Sequence, residues 1–346
     1  MLKIQIPSHG LAVVRALWLI ATLASAPRTT AITPVETQTT HEDFASSPLL
    51  KGWNTFGNPD LFQWNANTGQ LDVTWNSARS NSFLRLPLGT VLTRKDDFSV
   101  ALDLQLQDIE AGVNEGKPGT FQIAFGFQNR AEAEKPSFIR GTGDRSPDLV
   151  EFNFFPDTGY GPTVWPAVFS SGGKLNYTGV SDFSIFELPT GIPMRVTLSY
   201  TASKETTAID ITTNGVAVGP QTHAPLAKNF AGFELDTLSI SSYSDFGQSA
   251  FMPGSILAHG SIDNLVLTLP TSPIRSEQGS LVDGHWEHTL LSRTDWKYIL
   301  ESSSDLANWA DASSSTPGTG SRITLKDQTH SPAPHRFFRV KAVRNP

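Results

Sequence analysis

"FSVALDLQLQ", Phe98 to Gln107, alternates without a slip. Phe98, Val100, Leu102, Leu104 and Leu106 fall on one side; Ser99, Ala101, Asp103, Gln105 and Gln107 fall on the other. Successive side chains of a strand point to opposite faces, so this stretch predicts a half-buried β-strand. "TFQIAFGFQ" (120–128) has the same rhythm, with Phe121, Ile123, Phe125 and Phe127 opposed to Gln122, Ala124, Gly126 and Gln128. "MRVTLSYTA", "TAIDITTNGVAVG", "LDTLSISSYS" and "GSIDNLVLTLP" extend the series, and Asn214-Gly215 marks a tight hairpin. No stretch from Trp53 to Pro270 has the period of a long amphipathic helix. About ten strands in roughly 220 residues, each with one apolar face, predict an all-β fold of two antiparallel sheets packed face to face.

The flanks have other compositions. Lys3 and Arg15 precede "ALWLIATLASA" (16–26), which ends in Ala24-Ser25-Ala26. This is the pattern of a signal peptide, too short to span a membrane, and it predicts export with cleavage between residues 26 and 31. Residues 32–50 read as a lead-in and 51–270 as the main domain. The polar, Pro- and Gly-containing "TSPIRSEQGSLVD" (271–283) reads as a linker. Residues 284–346 carry short strands, "HWEHTLL", "WKYILESS", "RITLKD" and "RFFRVKAV", which predict a second, small β-sandwich-like domain.

Charge and composition exclude several functions. Once the leader is removed, 24 Lys and Arg stand against 33 Asp and Glu, a net charge of −9. An acidic exported chain with no basic cluster is unsuited to nucleic acid, whose phosphates require grouped Lys and Arg. There is no cysteine, so disulfides and thiolate metal sites are excluded and stability must come from core burial. No phosphate loop, dinucleotide fingerprint or His-Glu-x-x-His occurs. "GQSAF" (247–251) lacks the last glycine of a nucleophile elbow. Asp263, Asn264 and Asp245 could offer oxygens to Ca²⁺; no other cofactor is expected. Asn176-Tyr177-Thr178 spells an N-glycosylation acceptor.

"DDFSVALDLQL", "VEFNFFPDTG" and "GSIDNLVLTLP" together resemble the concanavalin A-like lectin/glucanase superfamily, over about two thirds of the chain. The resemblance implies an antiparallel jelly-roll β-sandwich with saccharides lying across the concave sheet. "YILESSSDLANW" (298–309) and "RFFRV" (336–340) resemble a small C-terminal β module of secreted bacterial proteins, which implies attachment or sorting rather than chemistry.

Within "VEFNFFPDTG", alternation puts Leu149, Glu151, Asn153 and Phe155 on one face and Val150, Phe152 and Phe154 toward the core. The resemblance implies a retaining-glucanase pattern, Glu-x-Asp-x-Glu or Glu-x-Asp-x-x-Glu, of nucleophile, assisting carboxylate and acid/base. Glu151 matches the first role, Asn153 replaces the second, and Phe155 and Pro156 stand where the third belongs. Retaining hydrolysis needs two carboxyls about 5–5.5 Å apart and inverting hydrolysis about 6.5–9.5 Å. Asp157 is about 20 Å away along a straight strand, Asp148 points to the other face, and Asp103 is a candidate from another strand. No catalytic residue is therefore assigned. The same face suits binding: Glu151, Asn153 and Gln122 can exchange hydrogen bonds with sugar hydroxyls, while Trp165 and Tyr160 can stack on sugar C–H faces. Glu151 and Asn153 could equally be solvated positions on an exposed sheet. The expectation is an exported, non-catalytic protein of the extracellular space or cell surface that binds a polysaccharide or cell-surface glycan. The alternative is a glycoside hydrolase or polysaccharide lyase with an unusual catalytic set.

Overall fold

A computed structural model describes residues 36–111, 122–139, 146–156, 161–176, 184–219, 222–244, 256–329 and 335–345. Sixteen strands come first: β1 (Thr37–Glu42), β2 (Asn54–Phe56), β3 (Phe62–Asn65), β4 (Gln70–Asn76), β5 (Ser82–Leu92), β6 (Phe98–Ala111), β7 (Ile123–Gln128), β8 (Leu149–Phe155), β9 (Thr163–Phe169), β10 (Ser184–Ile185), β11 (Met194–Thr201), β12 (Thr206–Thr213), β13 (Val216–Ala217), β14 (Thr222–Pro225), β15 (Leu235–Ser242) and β16 (Ile256–Pro270). Sheet I has nine strands in the order β13-β12-β11-β6-β16-β4-β3, with β1 also on β16 and β14 also on β12. Sheet II has seven, in the order β10-β9-β8-β7-β15-β5-β2, and every pairing in both sheets is antiparallel. The chain is a sandwich of antiparallel β-sheets, as the alternation predicts, of the jelly-roll kind that the resemblance implies.

The two sheets meet through the residues that alternation assigns to the interior. β6 buries Phe98, Val100, Leu102, Leu104 and Leu106 and leaves the residues between them half-exposed. Phe98 meets Phe127 of sheet II edge-on, with ring centroids 4.9 Å apart. Phe125 and Phe152 stack at 4.9 Å in the same core. Asn214 and Gly215 take left-handed backbone angles between β12 and β13, the expected tight hairpin.

Two flanking segments differ from their reading. Residues 37–42 of the lead-in are β1, paired with residues 265–270 of β16. Most of 271–283 is a strand, β17 (Arg275–Val282), joined by Asp283-Gly284, both left-handed, to β18 (His285–Leu291). β17 is exposed on both faces, so it carries no apolar alternation and reads as polar linker. The true connection is Thr271–Ile274, and even there Thr271 N–H donates to Glu36 O at 2.9 Å.

The rest of the C-terminal module comprises β19 (Trp296–Ser303), β20 (Ala310–Asp311), β21 (Thr316–Pro317), β22 (Arg322–Lys326) and β23 (Phe337–Arg344). β17, β18 and β22 form one small sheet; β19 with β20, β21 and β23 forms a second. Between them lies a separate core that includes Leu290, Trp296, Tyr298, Leu300 and Leu325. The module is fastened to the sandwich: Val91 of β5 and Ile274 pack on its core. Asp96 is buried and receives Arg344 at 2.6 and 2.9 Å, while Arg344 also donates to Val91 O. Arg293 bridges from the same side to Asp295 and Thr271 O. Among the described residues no helix is long and apolar enough to cross a membrane. The predicted leader, 1–31, lies outside the described residues.

Candidate functional site

Opposite residues of paired antiparallel strands project to the same side, so register alone assembles the face of sheet II that turns away from the core. One row is Phe169, Leu149, Gln128, Thr237 and Pro87. The next is Ala167, Glu151, Gly126, Ser239 and Arg85, and the third is Trp165, Asn153, Ala124, Ser241 and Phe83. Glu151 and Asn153 therefore share a face as the alternation predicts, Trp165 joins them there from β9, and Gln122 reaches it too. They are not solvated: Glu151 and Asn153 are 0% exposed, Gln122 1% and Trp165 6%. The reason lies in β8 and β9, "LVEFNFF" and "TVWPAVF", which are buried at every position. Their near-continuous apolar runs are those of strands covered on both sides. Leu149, Phe155, Trp165, Ala167 and Phe169 form a second apolar cluster on the outer side, separate from the main core. Tyr160 and Asp157 lie outside the described residues.

A buried carboxylate must be held by donors, and Glu151 is. Tyr243 O–H donates to its Oε2 at 2.8 Å and Gln122 Nε2 donates to its Oε1 at 3.2 Å. Asn153 Nδ2 donates to Glu151 O at 3.4 Å. Gly126 stands directly opposite Glu151; a Cβ there would fall 2.5 Å from Glu151 Cα and 2.4 Å from Val150 O. Only glycine admits this close approach. Arg85, in the same row, is committed elsewhere: it pairs with Glu134 at 2.5 Å and donates to Asn54 at 2.8 Å.

Among the described residues no second carboxylate joins Glu151 in the three rows of this face. Asp103 belongs to β6 in sheet I, where it receives Arg195 at 3.1 Å and Asn264 at 2.9 Å. Asp148 accepts from Ser171 Oγ at 2.6 Å and from Glu234 N–H at 2.7 Å. Burial pushes its carboxyl above the ordinary 3.8, with those two hydrogen bonds opposing. Of the oxygens considered for Ca²⁺, Asn264 O accepts from the Arg195 guanidinium. Asp263 Oδ1 accepts from Asn264 N–H, and Asp245 lies outside the described residues. Asn176 is buried and clamps residues 225–227, donating to Pro225 O and accepting from Ala227 N–H.

The face holds polar groups that the sequence reading did not single out. Gln128 is fully buried, and among the described residues neither its amide oxygen nor its nitrogen has a hydrogen-bond partner; Gln122 Oε1 has none there either. Ser239 and Ser241 bond only to each other on this side, at 3.1 Å. The signal was present: Thr237, Ser239, Ser241 and Tyr243 alternate in "LDTLSISSYS", and Gln128 follows Gln122 at an even spacing.

No family model matches the chain, and no curated protein does. Solved structures do. Peanut lectin with a 9-mer peptide is 16% identical with a TM-score of 0.40, over 68% of this chain and 99% of that one. Lectin II from Ulex europaeus is 12% identical, TM-score 0.42, over 68% and 99%. The Emp47p carbohydrate recognition domain is 14% identical, TM-score 0.35, over 62% and 88%. Similarity at this level adds nothing to the chemistry of the site, and the fold assignment rests on the strand order itself.

Proposed function

We propose that the protein is an exported, non-catalytic carbohydrate-binding protein that holds a polysaccharide or cell-surface glycan on the outer side of sheet II. The observation that carries this reading is the buried, unpartnered amide of Gln128 beside Thr237, on a face that also presents Gln122, Asn153, Ser239, Ser241 and Trp165. A buried amide with no partner costs about 1–3 kcal/mol. A fold keeps such a group where a ligand supplies the partner, and sugar hydroxyls both donate and accept. Glu151 and Asn153 occupy the enclosed part of the face; the Gln128 row leads outward through Thr237 and Pro87. The non-catalytic reading is supported by Glu151 being the one carboxylate among the described residues of the three rows, because hydrolysis needs a proton donor as well as a base or nucleophile.

The hydrogen bond from Tyr243 to Glu151 favours one other reading, polysaccharide lyase chemistry, in which a tyrosine exchanges protons with the sugar ring. Against it, the guanidinium on the row, Arg85, is paired with Glu134 rather than free for a substrate carboxylate. A glycan array probed with the mature chain, run beside assays for reducing ends and for unsaturated products, tests both. Binding without product is expected. Product formation abolished by Glu151→Gln or Tyr243→Phe supports the enzyme, and an array with no bound glycan overturns the proposal.

A further inference from the structure

The Gln128 row ends at the exposed Pro87, on the rim of a cleft. Its last two members, Thr237 and Pro87, line this cleft of about 390 Å³, whose other wall belongs to the C-terminal side of the chain, through Pro273, Ile274, Trp296 and Ala342. That volume lies within the range of small-molecule sites. Two buried polar atoms on residues lining this cleft have no hydrogen-bond partner among the described residues: Thr90 Oγ1, from β5, and Trp296 Nε1, from β19. Thr90 is 8% exposed and Trp296 3%. They come from different modules, and no strand pairing joins the two. Asp236 and Arg130 complete the lining. Asp236 Oδ1 accepts from Arg130 N–H and from Thr237 Oγ1, each at 2.8 Å, and Asp236 Oδ2 makes no hydrogen bond among the described residues.

The chemistry of these walls selects the ligand. A purely apolar guest would leave Thr90 and Trp296 unpaired, which is costly for buried groups. An anion would meet the Asp236 carboxylate. A neutral sugar residue has hydroxyls for Thr90, Trp296 and Asp236, and C–H faces for Pro87, Ile274 and Pro273. Resting on the carbohydrate reading of sheet II, we propose that this junction cleft is a subsite for a neutral sugar residue. It is completed by the C-terminal module, with the Thr90 hydroxyl donating or accepting from one wall and the Trp296 indole N–H donating from the other. The buried pairing of Asp96 with Arg344 fixes those walls relative to each other. The module then takes part in recognition, beyond the attachment or sorting role its resemblance implies.

The test uses the full mature chain and an array of neutral and uronate oligosaccharides. The best-bound neutral oligosaccharide is then titrated calorimetrically into the parent, Thr90→Val, Trp296→Phe, the double variant and Gln128→Met, with the melting temperature as the folding control. Trp296→Phe keeps a ring beneath Arg293 and Arg344, which lie 6.0 and 5.6 Å from the indole. Each junction variant is expected to lose about 3- to 10-fold in affinity, the worth of one hydrogen bond, and the double variant close to the product. Should either fail to fold, Ala342→Phe fills the cleft from the half-exposed edge strand and is expected to lose at least about 10-fold. Unchanged affinity in the folded double variant, or in Ala342→Phe, with a loss in Gln128→Met, overturns the junction subsite and leaves the sheet reading standing. Selective binding of uronates overturns the neutral-sugar assignment. No binding by the parent removes the sheet reading, and the subsite with it.

Discussion

Glu151 is enclosed, and its two oxygens are held by Tyr243 and Gln122. Truncation to alanine removes the acceptor of both donors, so Glu151→Ala should cost about 1–3 kcal/mol in chemical denaturation; unchanged stability would show that the two bonds contribute nothing. Asn153→Asp restores a carboxylate to the strand yet supplies no acid/base, and no sugar release is expected from it. Asp148 has a pH signature. Its folded carboxyl is raised above 3.8 by burial, so the native state binds more protons than the unfolded chain in the window above 3.8. Its contribution is full below 3.8 and falls as pH rises through the folded value. Asp148→Asn removes this dependence, so the variant should gain stability relative to the parent as pH climbs from 3.8. A difference flat with pH contradicts that account.

At the level of elements, β7 and β8 are buried on both faces and meet through Gly126. Gly126→Ala places a methyl against the backbone of Glu151 and Val150, atoms that cannot swing aside. The loss should reach or exceed about 3 kcal/mol, well beyond the propensity change of a Gly-to-Ala swap; a small effect in thermal or urea unfolding would place the strands farther apart. Strict alternation in β6 made the sandwich legible, because one face of sheet I is solvated and the other buried. Glu151 and Asn153 were placed on one face by the same period. Their enclosure was harder to read: in "LVEFNFF" the period is masked by apolar residues on both sides, and a lone Glu there looks the same whether solvated or held. β1 and β17 escaped notice because exposed edge strands carry no apolar rhythm. Asp283-Gly284 was the one local sign of the β17–β18 hairpin. Gln128 and Tyr243 matter through neighbours distant in sequence, which alternation cannot reveal.

For the molecule as a whole, the C-terminal module and the sandwich unfold together in this account. Asp96 is buried with Arg344 and lies 3.6 Å from Arg293. Removing Arg344 takes away the two short ion-pair contacts of Asp96 and leaves it the longer one to Arg293, so Arg344→Ala should destabilise by about 3 kcal/mol, the low end for a broken buried pair, and separate one calorimetric transition into two. A single unshifted transition would mean that the modules are held by apolar contact alone. The reading of function places ligand binding beside Gln128, whose buried amide has no hydrogen-bond partner among the described residues, and such a group costs stability that a ligand offsets. The measurement that addresses this most directly is Gln128→Met, followed in parallel by urea unfolding and by titration with the best-bound oligosaccharide. Removing the unpartnered amide should raise stability by about 1–3 kcal/mol while weakening glycan binding. A variant that gains stability and binds as the parent does would make Gln128 a structural imperfection and contradict the binding face.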